Sequence, residues 1–128
     1  MTDRFKQHGA FSWNELMTSD PKSATDFYTK LLGWTAEDVQ MEDMTYTVIS
    51  AGEEQVGGIM KIPPEAEGTP PHWGAYITVD NVDETAGKAE GLGAKIIIPP
   101  RDIPNVGRFT VIQDPQGAFI SLITYAES

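Results

Sequence analysis

An α+β fold built from two βαβββ modules is what this 128-residue sequence predicts. Three observations carry that expectation. The chain repeats itself at a shift of 60 residues: Trp13 falls on Trp73, Thr18 on Thr78, Asp20 on Asp80, Leu32 on Leu92 and Gly33 on Gly93. Self-similarity at such a period marks a duplicated supersecondary unit. In each half, an alternating run precedes a helical period and further alternating runs follow it. The Pro/Gly-rich stretch 63–72 lies between the repeats and is too short to separate them as mobile beads. One domain over 1–128 is expected, with modules at about 8–62 and 73–126 and the connector between them.

In the first module, residues 9–19 alternate as a strand, with Leu16 and Thr18 on one face and Trp13, Glu15 and Met17 on the other. Asp20-Pro21 starts a helix, because aspartate caps and proline suits the first helical position. Ala24, Phe27, Tyr28, Leu31 and Leu32 recur at helical spacing, and Gly33 stops the helix. Strands follow over 34–41, 44–50 and 55–62, with Ala51-Gly52-Glu53-Glu54 as a hairpin turn. In the second module Ala75, Ile77 and Val79 alternate, and Asp80 or Asn81 caps a helix from about Val82 to Leu92 that ends at Gly93. Lys95 to Ile98 is a strand, Pro99-Pro100-Arg101-Asp102 a turn, and Arg108 to Gln113 a strand. Asp114-Pro115-Gln116-Gly117 is a tight turn before the last strand, Ala118 to Tyr125.

The net charge of −10 repels phosphate backbones, so nucleic acid is not an expected partner. The same field attracts cations, or serves only to keep the protein soluble. With no cysteine, the chain has no disulfide, thiolate metal site or cysteine nucleophile. No apolar run reaches membrane-spanning length, and the stretch from Met1 to His8 lacks the apolar segment of a secretory signal. A cytoplasmic protein without membrane partners is expected. Gly57-Gly58 and Gly91-Leu92-Gly93 match neither a phosphate loop nor a dinucleotide fingerprint, and no Gly-x-Ser-x-Gly elbow is present.

The paired βαβββ order carries three local motifs: Asp26-Phe27-Tyr28-Thr29-Lys30-Leu31-Leu32-Gly33-Trp34, Val79-Asp80-Asn81-Val82-Asp83, and Asp114-Pro115-Gln116-Gly117. In this order and spacing they resemble the vicinal oxygen chelate superfamily, which includes glyoxalase I, bleomycin-resistance and fosfomycin-resistance proteins and extradiol dioxygenases. The resemblance spans nearly the whole chain. It implies that the modules form a curved, half-closed eight-stranded mixed sheet around a ligand cup, and that the protein is a homodimer.

Metal-dependent members of that superfamily hold one divalent ion in the cup, with His and Glu ligands from the first and last strands of each module. The corresponding positions here are Trp13, Gly74 and Ser121, and the first-module last-strand position falls within Val56-Gly57-Gly58-Ile59-Met60. None offers the imidazole or carboxylate such an ion takes. Sliding the register by one gives Asn14, Trp73 or Ala75, and Ile120 or Leu122. The two histidines, His8 and His72, read as loop residues ahead of strands, leaving Glu15 with His72 as the remaining donor pair. The three ligand positions are read as vacant, and no cofactor is expected.

If Leu16, Thr18, Ala75, Ile77 and Val79 face the helices, the opposite face lines the cup. The ligand-binding set is then Trp13, Glu15, Met17, Tyr46, Met60, Tyr76, Thr78, Phe119 and Ser121, with Arg108 at its margin. Apolar, aromatic walls with a few polar points are usual for a ligand pocket. Each residue also has a packing alternative: Trp13 and Tyr76 can fill space, Met17 and Met60 can be core. Arg108 either clamps a carboxylate or phosphate or pairs with the chain's own acids.

Glu15 is the candidate catalytic residue. Desolvation in an apolar cup raises a carboxyl pKa and suits it to general-base work or to pairing with a cationic ligand; at the cup mouth it would stay solvated. The leading expectation is a metal-free binder of a small organic molecule, cationic or aromatic, similar in logic to bleomycin-resistance proteins. The alternatives are a metal-independent or atypical-metal enzyme (a lyase, isomerase or dioxygenase-like activity) using Glu15, and a regulatory or interaction module.

Overall fold

A computed structural model describes residues 3–41, 44–104 and 106–126. Met1, Thr2, Glu127 and Ser128, the outermost residues of the expected 1–128 domain, lie outside that set. The elements are β1 (Phe11–Thr18), α1 (Pro21–Leu32), β2 (Thr35–Gln40), β3 (Thr45–Ala51), β4 (Glu54–Lys61), β5 (His72–Thr78), α2 (Val82–Gly91), β6 (Lys95–Ile103), β7 (Gly107–Gln113) and β8 (Phe119–Tyr125), with a short 3-10 turn at Pro64–Ala66. The βαβββ order occurs twice in this α+β chain. The chain divides into two units, residues 13–74 and residues 3–12 with 75–126.

In unit 13–74 the strands run in the order β2-β3-β4-β1. β1 and β4 are parallel while the β2–β3 and β3–β4 pairs are antiparallel, so the sheet is mixed. Leu16, Ile49 and Ile59 form its core, with Ala24, Tyr28, Trp34 and Val56 packed against them. Because Ala24 and Tyr28 come from α1, this is the helix-facing side. Alternation then sends Trp13, Glu15 and Met17 to the opposite face. Both ends of α1 are set locally. Asp20 accepts from the Ser23 N–H at 3.1 Å. Gly33, at φ 73°, donates its N–H to the Thr29 carbonyl oxygen, a left-handed stop that glycine takes without steric cost.

The other unit has the order β5-β8-β7-β6, with β5 and β8 parallel. Its core is Val79, Val82, Ile112 and Leu122, joined by Ile77, Ala89, Ala94, Ile96 and Ile120. Asn81, not Asp80, caps α2, accepting from the Glu84 N–H at 3.1 Å. Asp114 Oδ1 accepts from the N–H groups of Gln116 and Ala118 and so fixes the turn before β8.

Three expectations need revision. Pro99 to Asp102 is not a turn, because β6 runs through it from Lys95 to Ile103. β6 ends the strand order, where a proline's missing N–H breaks no ladder, and its register against β7 shifts on both sides of Ile98. His72 is the first residue of β5, following Pro70 and Pro71, and not a loop residue.

The expected first module also began at residue 8, yet residues 3–12 group with the second repeat. The reason is a set of hydrogen bonds. Gly9 donates to the Thr78 carbonyl oxygen at 2.7 Å, and Thr78 N–H donates to that of Ala10 at 2.8 Å. The Phe5 ring meets Tyr125 edge-on at 5.0 Å, and the Ser12 and Tyr125 hydroxyls are 2.7 Å apart.

Candidate functional site

On the sheet face opposite α1, β1 presents Trp13, Glu15 and Met17, β3 presents Tyr46 and Val48, and β4 presents Gly58 and Met60. Register places Gly58 beside Glu15 on one side and Val48 on the other, and pairs Met17 with Met60. Adjacent strands lie about 4.8 Å apart, so a β3 side chain reaches β1 only by crossing roughly 10 Å over β4. Tyr46 makes that crossing. Its hydroxyl accepts from Trp13 Nε1 at 2.9 Å and donates to Glu15 Oε2 at 2.8 Å. Crossing is possible because residue 58 has no side chain. A Cβ built on Gly58 falls onto Cε1, Cζ and Oη of the Tyr46 ring.

The result is a carboxylate in an aromatic setting. Glu15 is only 6% exposed, so it is not a solvated residue at a rim. A buried carboxylate needs donors, and the Tyr46 hydroxyl is one. Trp13, Met17, Tyr46 and Met60 around it are all half-buried. Of the residues expected to bind ligand, these five are brought together in one unit.

The remaining candidates belong to the second unit. Tyr76 is buried and faces Phe109 with ring centroids 6.5 Å apart. Ser121 pairs with Tyr76 across the β5–β8 ladder and is half-buried. Thr78 is buried, and its hydroxyl donates to the Arg4 carbonyl oxygen at 2.7 Å, which ties it to the N-terminal segment. Phe119 is exposed at the start of β8.

Arg108 follows the acid-pairing alternative. It donates to both carboxylate oxygens of Asp83, at 2.8 and 3.0 Å, and to Asp102 at 3.2 Å. Its hydrogen bond to Asp83 holds that carboxyl below the usual carboxylate range and the guanidinium firmly charged.

A divalent ion of the kind the resemblance implies takes three or four imidazole or carboxylate donors. At the corresponding positions, the Trp13 indole is engaged by Tyr46, Gly74 has no side chain, and Ser121 carries a hydroxyl. The fourth position lies in the stretch 56–60, where the Tyr46 ring occupies the space above Gly58. His72 is exposed, with Nδ1 2.9 Å from the Pro70 carbonyl oxygen. Among the described residues no three His, Cys, Asp or Glu side chains gather in a group able to hold a metal. The four family positions do not carry the imidazole and carboxylate donors that such an ion takes.

Two features were not read from the sequence. One is the Trp13–Tyr46–Glu15 chain with its enabling glycine. A glycine inside a strand pattern signals close approach of another group, and Gly57-Gly58 carried that signal. The other lies on the helix-facing side of the same unit. Tyr28 stacks on Trp34, and Trp73 meets both rings edge-on while donating Nε1–H to the Tyr28 hydroxyl at 3.2 Å. Trp34 and Trp73, with Asn14, Ile49, Val56 and Gly57, line an open groove of about 300 Å³.

The family model described as Glyoxalase/Bleomycin resistance protein/Dioxygenase superfamily matches residues 7–122. A protein of Mycobacterium tuberculosis named "Putative glyoxylase CFP32" is 43% identical over 116 residues, which are 90% of this chain and 44% of that protein. The anthracycline biosynthesis protein DnrV of Streptomyces peucetius is 30% identical over 123 residues, covering 86% of this chain and 45% of that protein. The chain thus spans less than half the length of these relatives. Among solved structures, methylmalonyl-CoA epimerase from Mycobacterium tuberculosis is similar, with a TM-score of 0.68, 16% identity, and coverage of 93% of this chain and 89% of that one. The Streptomyces coelicolor methylmalonyl-CoA epimerase has a TM-score of 0.69 at 14% identity, covering 94% and 100%. At these identities the likeness is one of fold.

Proposed function

We propose that this chain, which belongs to the Glyoxalase/Bleomycin resistance protein/Dioxygenase superfamily, binds a small organic molecule that joins a flat aromatic part to a cationic group, without using a metal. The observation that carries the proposal is the buried Glu15 carboxylate, held by Tyr46 and set among Trp13, Met17 and Met60. An acceptor-only carboxylate in an apolar aromatic setting suits a protonated amine, and aromatic side chains suit both the cation and a flat ring system. The chain's net charge of −10 draws such a ligand in. The relatives named for anthracycline biosynthesis support the same class, since an anthracycline couples a fused aromatic system to an amino sugar.

The test is titration with the anthracycline daunorubicin, followed by tryptophan fluorescence. Saturable quenching is expected, with affinity about tenfold lower or worse for Glu15→Gln, the order of a lost charge-assisted hydrogen bond. Quenching that never saturates overturns the binding reading. Equal affinity in the variant removes Glu15 from it.

A catalytic use of the same carboxylate is the second reading. Its support is the Tyr46 hydroxyl in contact with Glu15, an acid beside a base. Deuterium entering a bound carbonyl compound in heavy water, and not with Glu15→Gln, is the expected sign; no exchange with either protein removes this reading. We also propose a homodimer, supported by the exposed apolar side chains of Phe27, Leu31 and Leu32 on α1. Sedimentation velocity checks it, and a monomer at micromolar concentration overturns it. Among the described residues no helix is long and apolar enough to cross a membrane.

A further inference from the structure

A tyrosine that spans three strands to touch two partners with one oxygen is not explained by packing alone. A ring laid over a bare glycine is a known way to cover backbone in a sheet, and it needs only the ring. Here the hydroxyl is placed as well, 2.9 Å from the Trp13 donor and 2.8 Å from the Glu15 acceptor. The order of donation is fixed by chemistry: an indole N–H can only donate, so Tyr46 must accept from Trp13 and direct its own proton to Glu15.

We propose that Tyr46 is a positioning residue that sets the orientation of the Glu15 carboxylate towards a cationic, hydrogen-bond-donating ligand, and that Gly58 is the specificity-determining residue that makes room for it. The ligand class rests on the function proposed above; the positioning itself does not. A side chain at residue 58 displaces the Tyr46 ring, breaks the chain from Trp13 to Glu15 and takes the Tyr46 hydroxyl away from the carboxylate.

The test reads this 128-residue chain labelled with nitrogen-15 at tryptophan, which carries three indole N–H signals, from Trp13, Trp34 and Trp73. Trp13→Phe assigns the first. Tyr46→Phe keeps the ring and removes the hydroxyl, and is expected to move the Trp13 signal while leaving the other two in place. Glu15→Gln is expected to move the same signal through Tyr46. Gly58→Ala should shift it in the wild-type background and add nothing in a Tyr46→Ala background, where the ring is gone.

Daunorubicin affinity should fall about tenfold in Tyr46→Phe, as for loss of a hydrogen bond to a charged group. An unmoved Trp13 signal in Glu15→Gln, or wild-type affinity in Tyr46→Phe, overturns the proposal. The indole signals are read without ligand. If no form of the protein binds daunorubicin, the ligand class fails while the positioning role stands or falls on these signals. Should Gly58→Ala not fold, Tyr46→Phe carries the test.

Discussion

Tyr125 illustrates how much a single residue can hold in this chain. Its hydroxyl meets Ser12 and its ring packs edge-on with Phe5, so one side chain of β8 holds both of these residues. Burial pushes its pKa above the ordinary value of 10.0. A group with a raised folded pKa contributes stability that is complete below its unfolded pKa and is lost as pH rises through the folded one. Resistance of the wild type to urea should therefore weaken above about pH 10. Tyr125→Phe should flatten that alkaline loss; an unchanged alkaline limb refutes the assignment. At this scale the sequence was half legible. Alternation alone put Trp13 and Glu15 on one face. That Tyr46 joins them depends on the register of three strands, and register is set by pairing between distant segments, which no local pattern encodes.

The elements themselves divide the same way. Both helices were legible because their signals are local: Asp20 and Pro21 open α1, Gly33 closes it, and Asn81 opens α2. β6 was misread at Pro99-Pro100 because a proline pair signals a turn unless the strand lies at a sheet edge, and edge position is a property of the assembled sheet. An edge strand exposes unpaired backbone groups that can recruit another chain, and proline blunts it. Replacing Pro99 and Pro100 together by valine should leave the fold in place and raise self-association. Light scattering against concentration checks this, and a double variant no stickier than wild type removes the protective role from the prolines.

For the whole molecule, the duplication was legible and the grouping of segments was not. The 60-residue repeat predicted two modules in chain order. The structure instead assigns residues 3–12 to the unit made by 75–126, through bonds at Thr78 and contacts at Tyr125. The bonds at Thr78 use only the backbone groups of Gly9 and Ala10, which no side-chain pattern announces.

That arrangement has a consequence for the order in which the chain can mature during synthesis. Ser12 is made well before its partner Tyr125, which lies 113 positions later. Chains emerging from a ribosome usually settle from the front; here residues 3–12 must wait for β8, a closure that long sequence separation slows. A stalled chain ending at residue 74 should therefore be cut readily by protease within 3–12, and the 128-residue chain should resist. Equal protection of both would show that the opening segment finds its place without the closing one.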